Sequence, residues 1–96
     1  MSHGYSGDKR RLVNRLRRIE GQVRGLEKMV EEDRYCIDVL PQVGAVITAL
    51  ESVGLKVLED HTRHCVAGAI ASGDEAEAHA KVEELIAAVE RFSKAR

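Results

Sequence analysis

The chain has 96 residues, a net charge of −1, no Trp and only three large aromatics, Tyr5, Tyr35 and Phe92. That is the small end for one self-sufficient domain, expected to span residues 1–96 with 1–7 flexible, and its core must be built from Leu, Val, Ile and Ala, which suits helices packed on helices and a partner chain. No signal peptide or transmembrane stretch is visible, so the expected setting is cytoplasmic, where Cys36 and Cys65 are reduced ligands or reactive thiols, not a structural disulfide.

The first predicted helix carries the seam Leu12, Leu16, Ile19, Val23, Leu26 and Val30, in alternating steps of four and three. Ser6 or Asp8 is placed to cap its start, and Glu31-Glu32-Asp33-Arg34 to end it. Gly21 and Gly25 lower helix propensity but permit close approach of a neighbouring backbone. Between residues 9 and 28, eight cations face two acids, a local charge of +6, which leaves −7 for the remainder. Arg11, Arg15 and Arg18 share one side of the seam, and Arg10, Arg17 and Arg24 lie on another polar stripe. Such a face fits a polyanion. There is no helix-turn-helix signature, and only Asn14 and Gln22 are base-reading groups, so on nucleic acid phosphate contacts and DNA shape would dominate.

The second seam runs Cys36, Leu40, Val43, Ile47, Leu50, Gly54, Val57, His61 and Cys65, which is expected to be a buried stripe. If this helix starts near Asp33 or Arg34, Pro41 introduces a kink about two turns in. Ser72-Gly73 ends it. Asp74 and Glu77 have capping-box spacing for a third helix running to about Phe92, and the last four residues are expected to fray.

Cys36, His61 and Cys65 are a donor set for a soft metal. His61 and Cys65, four residues apart, leave a helix from one face. Cys36 precedes His61 by 25 residues, roughly 37 Å along a helix at about 1.5 Å per residue. One ion can join all three only if two antiparallel copies exchange ends. With a two-fold axis near Ala49 and Leu50, residue i faces about 99 minus i, so Cys36 faces position 63, midway between His61 and Cys65 of the other copy. A lone Cys or His on a seam is ordinarily a core residue; three in register with a two-fold favour ligation. Two thiolates and an imidazole satisfy three-coordinate Cu(I), whereas structural zinc would need a fourth ligand such as His64 or His3.

Asn14-Arg15-Leu16, Arg18-Ile19-Glu20-Gly21-Gln22-Val23-Arg24-Gly25, Tyr35-Cys36-Ile37-Asp38-Val39-Leu40 and the His61-to-Cys65 stretch resemble the CsoR/RcnR metal-sensing repressors, the copper-sensing CsoR members above all. The resemblance implies an all-α fold of three helices per chain. It also implies an antiparallel helical-hairpin homodimer forming a four-helix bundle, and a dimer of dimers, hence a homotetramer. It implies operator DNA bound by the metal-free protein and released with Cu(I), which Cys36 of one protomer and His61 and Cys65 of the other bind. Tyr35 and Glu84 match the family's tyrosine and glutamate behind the ligands. Arg15 matches an arginine needed for DNA binding, and Arg10, Arg11, Arg17 and Arg18 accompany it. Ser52 stands where some copper-sensing members carry a second DNA-contacting arginine, and Lys56 or the first-helix cluster is the expected substitute. His3 lies near the N-terminal histidine ligand of nickel-sensing relatives, so Ni(II) is the alternative metal.

Two other functions compete with the repressor. A copper buffer would leave the basic helix merely solvated. A thiol enzyme or thiol-based redox sensor would use Cys36 or Cys65, but there is no Cys-x-x-Cys and no positioned base beyond His61. A protein that is not an enzyme is expected.

Overall fold

Three helical rods account for nearly all of residues 4–94, the part of the chain that the computed structural model describes. After a 3-10 turn at Ser6–Asp8 come α1 (Lys9–Glu31) and α2 (Cys36–Asp60), then a π-helical segment (His61–Val66), α3 (Ala67–Ala71) and α4 (Glu75–Lys94). There is no strand among the described residues. The second rod is continuous over Cys36–Ala71 but changes winding at His61. The chain forms two compact units: Asp8–Val53, and residues from 54 onward together with those before Asp8.

In the Asp8–Val53 unit the first apolar seam divides. Leu12 and Ile19 are buried with Val46 and Val53 of α2, and Leu26 and Ala49 pack against that cluster. The intervening Leu16, Val23 and Val30 are 41%, 40% and 64% exposed. The stripe expected to be buried on α2 is corrected in the same way. Val46, Ala49 and Val53 face α1, while Leu40, Ile47 and Leu50 remain exposed. A helix between two neighbours needs two apolar sides, and one chain covers only one of them.

Those two sides also make Cys36–Ala71 long and apolar enough to cross a membrane by length and composition, an 18-residue window of it reaching a mean hydropathy of 1.4. This corrects the expectation that no such stretch exists. A core helix of a soluble protein passes the same test, and Lys56, Glu59, Asp60 and Arg63 load its second half with charge.

The helix ends follow local chemistry. Asp8 occupies the N-cap of α1 without a side-chain cap bond. At the other end the Asp33 N–H donates to Val30 O (3.1 Å) and the Arg34 N–H to Met29 O (2.9 Å). That is the Schellman pattern, and it places Asp33 in the left-handed region at φ 56°. Helix α2 starts at Cys36, with the Tyr35 carbonyl accepting from Asp38 and Val39, and it continues through Pro41. Gly73 at φ 79° ends α3. Asp74 then caps α4, its Oδ1 accepting the Glu77 N–H at 3.1 Å. The Asp74 N–H donates instead to Ser72 Oγ (3.3 Å).

In the unit from Gly54 onward, Val66 and Ala69 are buried. The Phe92 ring of α4 lies against Gly54, where an added Cβ would come within 2.6 Å of it. Gly4, within the segment expected to be flexible, is buried; residues 1–3 lie outside the described residues.

Left-handed backbone costs a side-chain-bearing residue roughly 1–2 kcal/mol, less for Asp than for most. Asp33→Gly removes that strain, offset partly by added unfolded-chain entropy. The expected outcome is a gain of up to about 1 kcal/mol in urea denaturation, and a loss of stability would mean that the Asp33 side chain has a role of its own.

Candidate metal centre

His61 opens the π segment and Cys65 lies near its end. Thr62 lies inside that segment. Its hydroxyl donates to the Leu58 carbonyl (3.0 Å), the acceptor that an α-helix would reserve for the Thr62 N–H. The Ala67 N–H donates to Thr62 O, five residues back, which defines the wider turn. His61 and Cys65 line one cavity of about 910 Å³, together with Tyr5, Lys81, Glu84 and Phe92. From α4, Glu84 Oε1 approaches His61 Nε2 at 3.9 Å, and its other oxygen lies 3.9 Å from Lys81 Nζ. These are ion-pair-range contacts, too long for hydrogen bonds. Nε2 is thus the nitrogen that Glu84 faces. Nδ1 is the other nitrogen of the ring, and an imidazole can ligate through either one.

Cys36 is a free, exposed thiol at the first residue of α2, in the other unit, and Tyr35 beside it is 67% exposed. Among the described residues of one chain, no three His, Cys, Asp or Glu side chains gather as a metal site. One unit brings together His61, Cys65 and Glu84, while Cys36 and Tyr35 belong to the other unit. His3 lies outside the described residues, and His64 is exposed.

The basic residues of α1, Arg10, Arg11, Arg15, Arg17 and Arg18, are all exposed. Arg15 Nη1 donates to Ser52 Oγ across the α1–α2 pair at 3.4 Å, a long bond that restrains the guanidinium without consuming its other donors. Lys56 is placed differently. Its ammonium lies 3.3 Å from Asp60 Oδ1 and 4.0 Å from Glu59 Oε1, so it is engaged within its own helix.

The family of metal-sensitive transcriptional repressors matches residues 8–91. The chain belongs to that family. It is 50% identical over 94 residues to the copper-sensing transcriptional repressor CsoR of Bacillus subtilis (strain 168), covering 98% of this chain and 90% of that one. The crystal structure of the copper-sensing repressor CsoR with Cu(I) from Geobacillus thermodenitrificans NG80-2 is 44% identical. It superposes with a TM-score of 0.83 over 92% of this chain and 88% of its own. The nickel-responsive transcriptional regulator InrS is also 44% identical, with a TM-score of 0.76 over 86% of this chain and 90% of its own. Identity to the two structures therefore does not separate the metals; the superposition and the 50% relative lean towards copper.

Two features of this repressor-family chain escaped sequence reasoning. The first is Asp60, 2% exposed, with Oδ1 held by Lys56 and Oδ2 without a hydrogen-bond partner. In sequence it is one member of an ordinary i, i+4 pair, and nothing marks it as buried. The second is the π turn at His61–Val66, which no spacing or composition signal marks.

In the Lys56–Asp60 pair only the carboxylate is buried, so losing the lysine should cost more than the roughly 0–1 kcal/mol of an exposed pair and less than the about 3–5 kcal/mol of a fully buried one. Lys56→Met should therefore destabilise the protein more than Arg63→Met, which breaks only the exposed Arg63–Glu59 pair at 3.0 Å. Equal urea midpoints for the two variants would show that water reaches Asp60.

Proposed function

We propose that this chain is a Cu(I)-responsive transcriptional repressor, binding operator DNA when metal-free and releasing it with copper, and so controlling copper resistance or efflux genes. The observation that carries the reading is the pairing of His61 and Cys65 on one cavity wall with Glu84 behind the imidazole. The soft donor set fits the ion: two thiolates and one imidazole favour Cu(I), with Cys36 of one protomer completing the site of its partner. Cys36, His61 and Cys65 would hold the ion, which would supply a soft Lewis acid for two thiolates and one imidazole. His61 then orients α4 through Glu84, with Tyr35 the proposed companion of that carboxylate. Coupling between metal and DNA of about 1–3 kcal/mol is typical of such linkage.

The uncovered stripes support a homodimer. Leu16, Val23 and Val30 of α1 and Leu40, Ile47 and Leu50 of α2 are too many large apolar side chains for a chain of this size to leave in water. An antiparallel helical-hairpin dimer forming a four-helix bundle would cover them, and a dimer of dimers would give the homotetramer. On this reading residues 1–96 act as one functional domain, cytoplasmic, without membrane contact and without enzymatic activity. Operator DNA would lie against Arg10, Arg11, Arg15, Arg17 and Arg18. Lys56 is a weaker member of that set because Asp60 already engages it.

The reading is tested by operator binding with and without metal. Cu(I) at one equivalent per chain should release the DNA and Ni(II) should not; release by Ni(II) alone would favour the nickel-sensing alternative with His3 as an extra ligand, and release by neither would leave a copper buffer. Arg15→Ala should weaken operator binding while sparing copper affinity, and a lost phosphate contact should lower the salt slope by about one unit. Unchanged binding at several salt concentrations would move the DNA face elsewhere.

The exchanged-ends arrangement makes a separate prediction. Neither Cys36→Ala nor Cys65→Ala alone should keep a complete site, yet a purified heterodimer of the two variants should regain one. Anaerobic copper titration that finds no tight site in the heterodimer would rule the arrangement out.

A further inference from the structure

The backbone around His61 is held from two directions. On one side Asp60, its neighbour in sequence, is almost completely buried and tied to Lys56 one turn back. On the other side the chain's own N-terminal arm comes in at Gly4. A Cβ built there would lie 2.8 Å from the Asp60 carbonyl oxygen, 2.8 Å from His61 Cα and 2.9 Å from His61 N. All three are backbone atoms, which cannot rotate out of the way as a flexible side chain can. The next residue, Tyr5, lines the cavity that His61 and Cys65 share. This contact falls where the rod changes from α to π winding. At such a junction the ladder switches from i−4 to i−5 acceptors, so the direction of the first π residue depends on what packs against it.

We propose that the N-terminal arm is a positioning element of the metal site: Gly4, seated on the Asp60–His61 peptide, sets the direction in which the His61 imidazole leaves the helix. Gly4 is a positioning residue, since it touches the ligand's backbone and not the metal. Glycine is required because any side chain would lift the arm or displace the junction. The inference rests on the reading of His61 as a ligand.

The test uses full-length Gly4→Ala beside Gly7→Ala. Gly7 belongs to the same arm and has nothing within 4 Å of an added Cβ, so it controls for the change in chain entropy. His61→Ala supplies the reference for a site without nitrogen. Each protein is loaded with Cu(I) anaerobically, and its nitrogen and sulfur neighbours are counted by X-ray absorption. Because unfolded thiols also bind Cu(I), circular dichroism on the same samples must show wild-type helicity, so that a lost nitrogen neighbour reports the site and not unfolding. Wild type and Gly7→Ala should keep the nitrogen neighbour. Gly4→Ala should lose or weaken it and bind copper about tenfold less tightly, the ratio equivalent to ~1.4 kcal/mol, with a smaller operator-release response. A Gly4→Ala protein with the wild-type nitrogen signal and affinity overturns the proposal while leaving the ligand set intact. A wild-type protein with no nitrogen neighbour overturns the ligand reading and this proposal with it.

Discussion

Everything in this protein follows from a shortage of interior. The Asp8–Val53 unit buries one line of side chains, Leu12 and Ile19 against Val46 and Val53, with Leu26 and Ala49 at its margin. Two helices in contact along a single line have no further layer to exclude water, and their outward stripes stay apolar. Hydrophobic burial scales with the area removed from water, at about 25 cal/mol per Å². A chain that leaves Leu16, Leu40, Ile47 and Leu50 half exposed has therefore left much of its driving force unused. The same shortage leaves Cys36, a ligand only in the proposed copper site, exposed. In the proposed dimer, completion of the core and completion of the metal site become one event.

Much of the architecture was legible in the residues, because the local signals agree with one another. Steps of three and four predicted α1, the Asp74/Glu77 spacing predicted the cap of α4, and the Ser72-Gly73 pair predicted the break before it. What periodicity could not say was which side of an apolar seam a single chain would cover. A heptad-like stripe declares that it will be buried without naming the partner. The α2 stripe through Leu40, Ile47 and Leu50 was legible as apolar, and its exposure was not, because Val46, Ala49 and Val53 form a second apolar line on the same helix.

The site divides in a similar way. His61 and Cys65 are neighbours by spacing alone, and the family resemblance brought Glu84 to attention, which the structure finds facing the ring. Asp60 and Gly4 stayed hidden for different physical reasons. A charged residue four positions from a lysine reads as a surface pair, and burial is set by packing that spacing does not show. A glycine near a terminus reads as flexibility, whereas here its missing side chain is what allows two backbones to meet.

The π winding has a consequence for how helical spacing is counted through the site. From Val57 the stripe advances to His61 and then to Cys65, two successive steps of four. In an α-helix of 3.6 residues per turn each such step overshoots a full circle by about 40°, so the second would carry Cys65 well round the cylinder from Val57. A turn that closes with an i−5 bond holds more residues per revolution, and the overshoot is absorbed. The wide turn therefore acts as a phase corrector, keeping imidazole and thiol on one cavity wall. It also means that a facing rule such as 99 minus i, derived for uniform winding, loses its phase beyond His61. Residues on the far side of that point must be placed by the local winding and not by counting from Cys36.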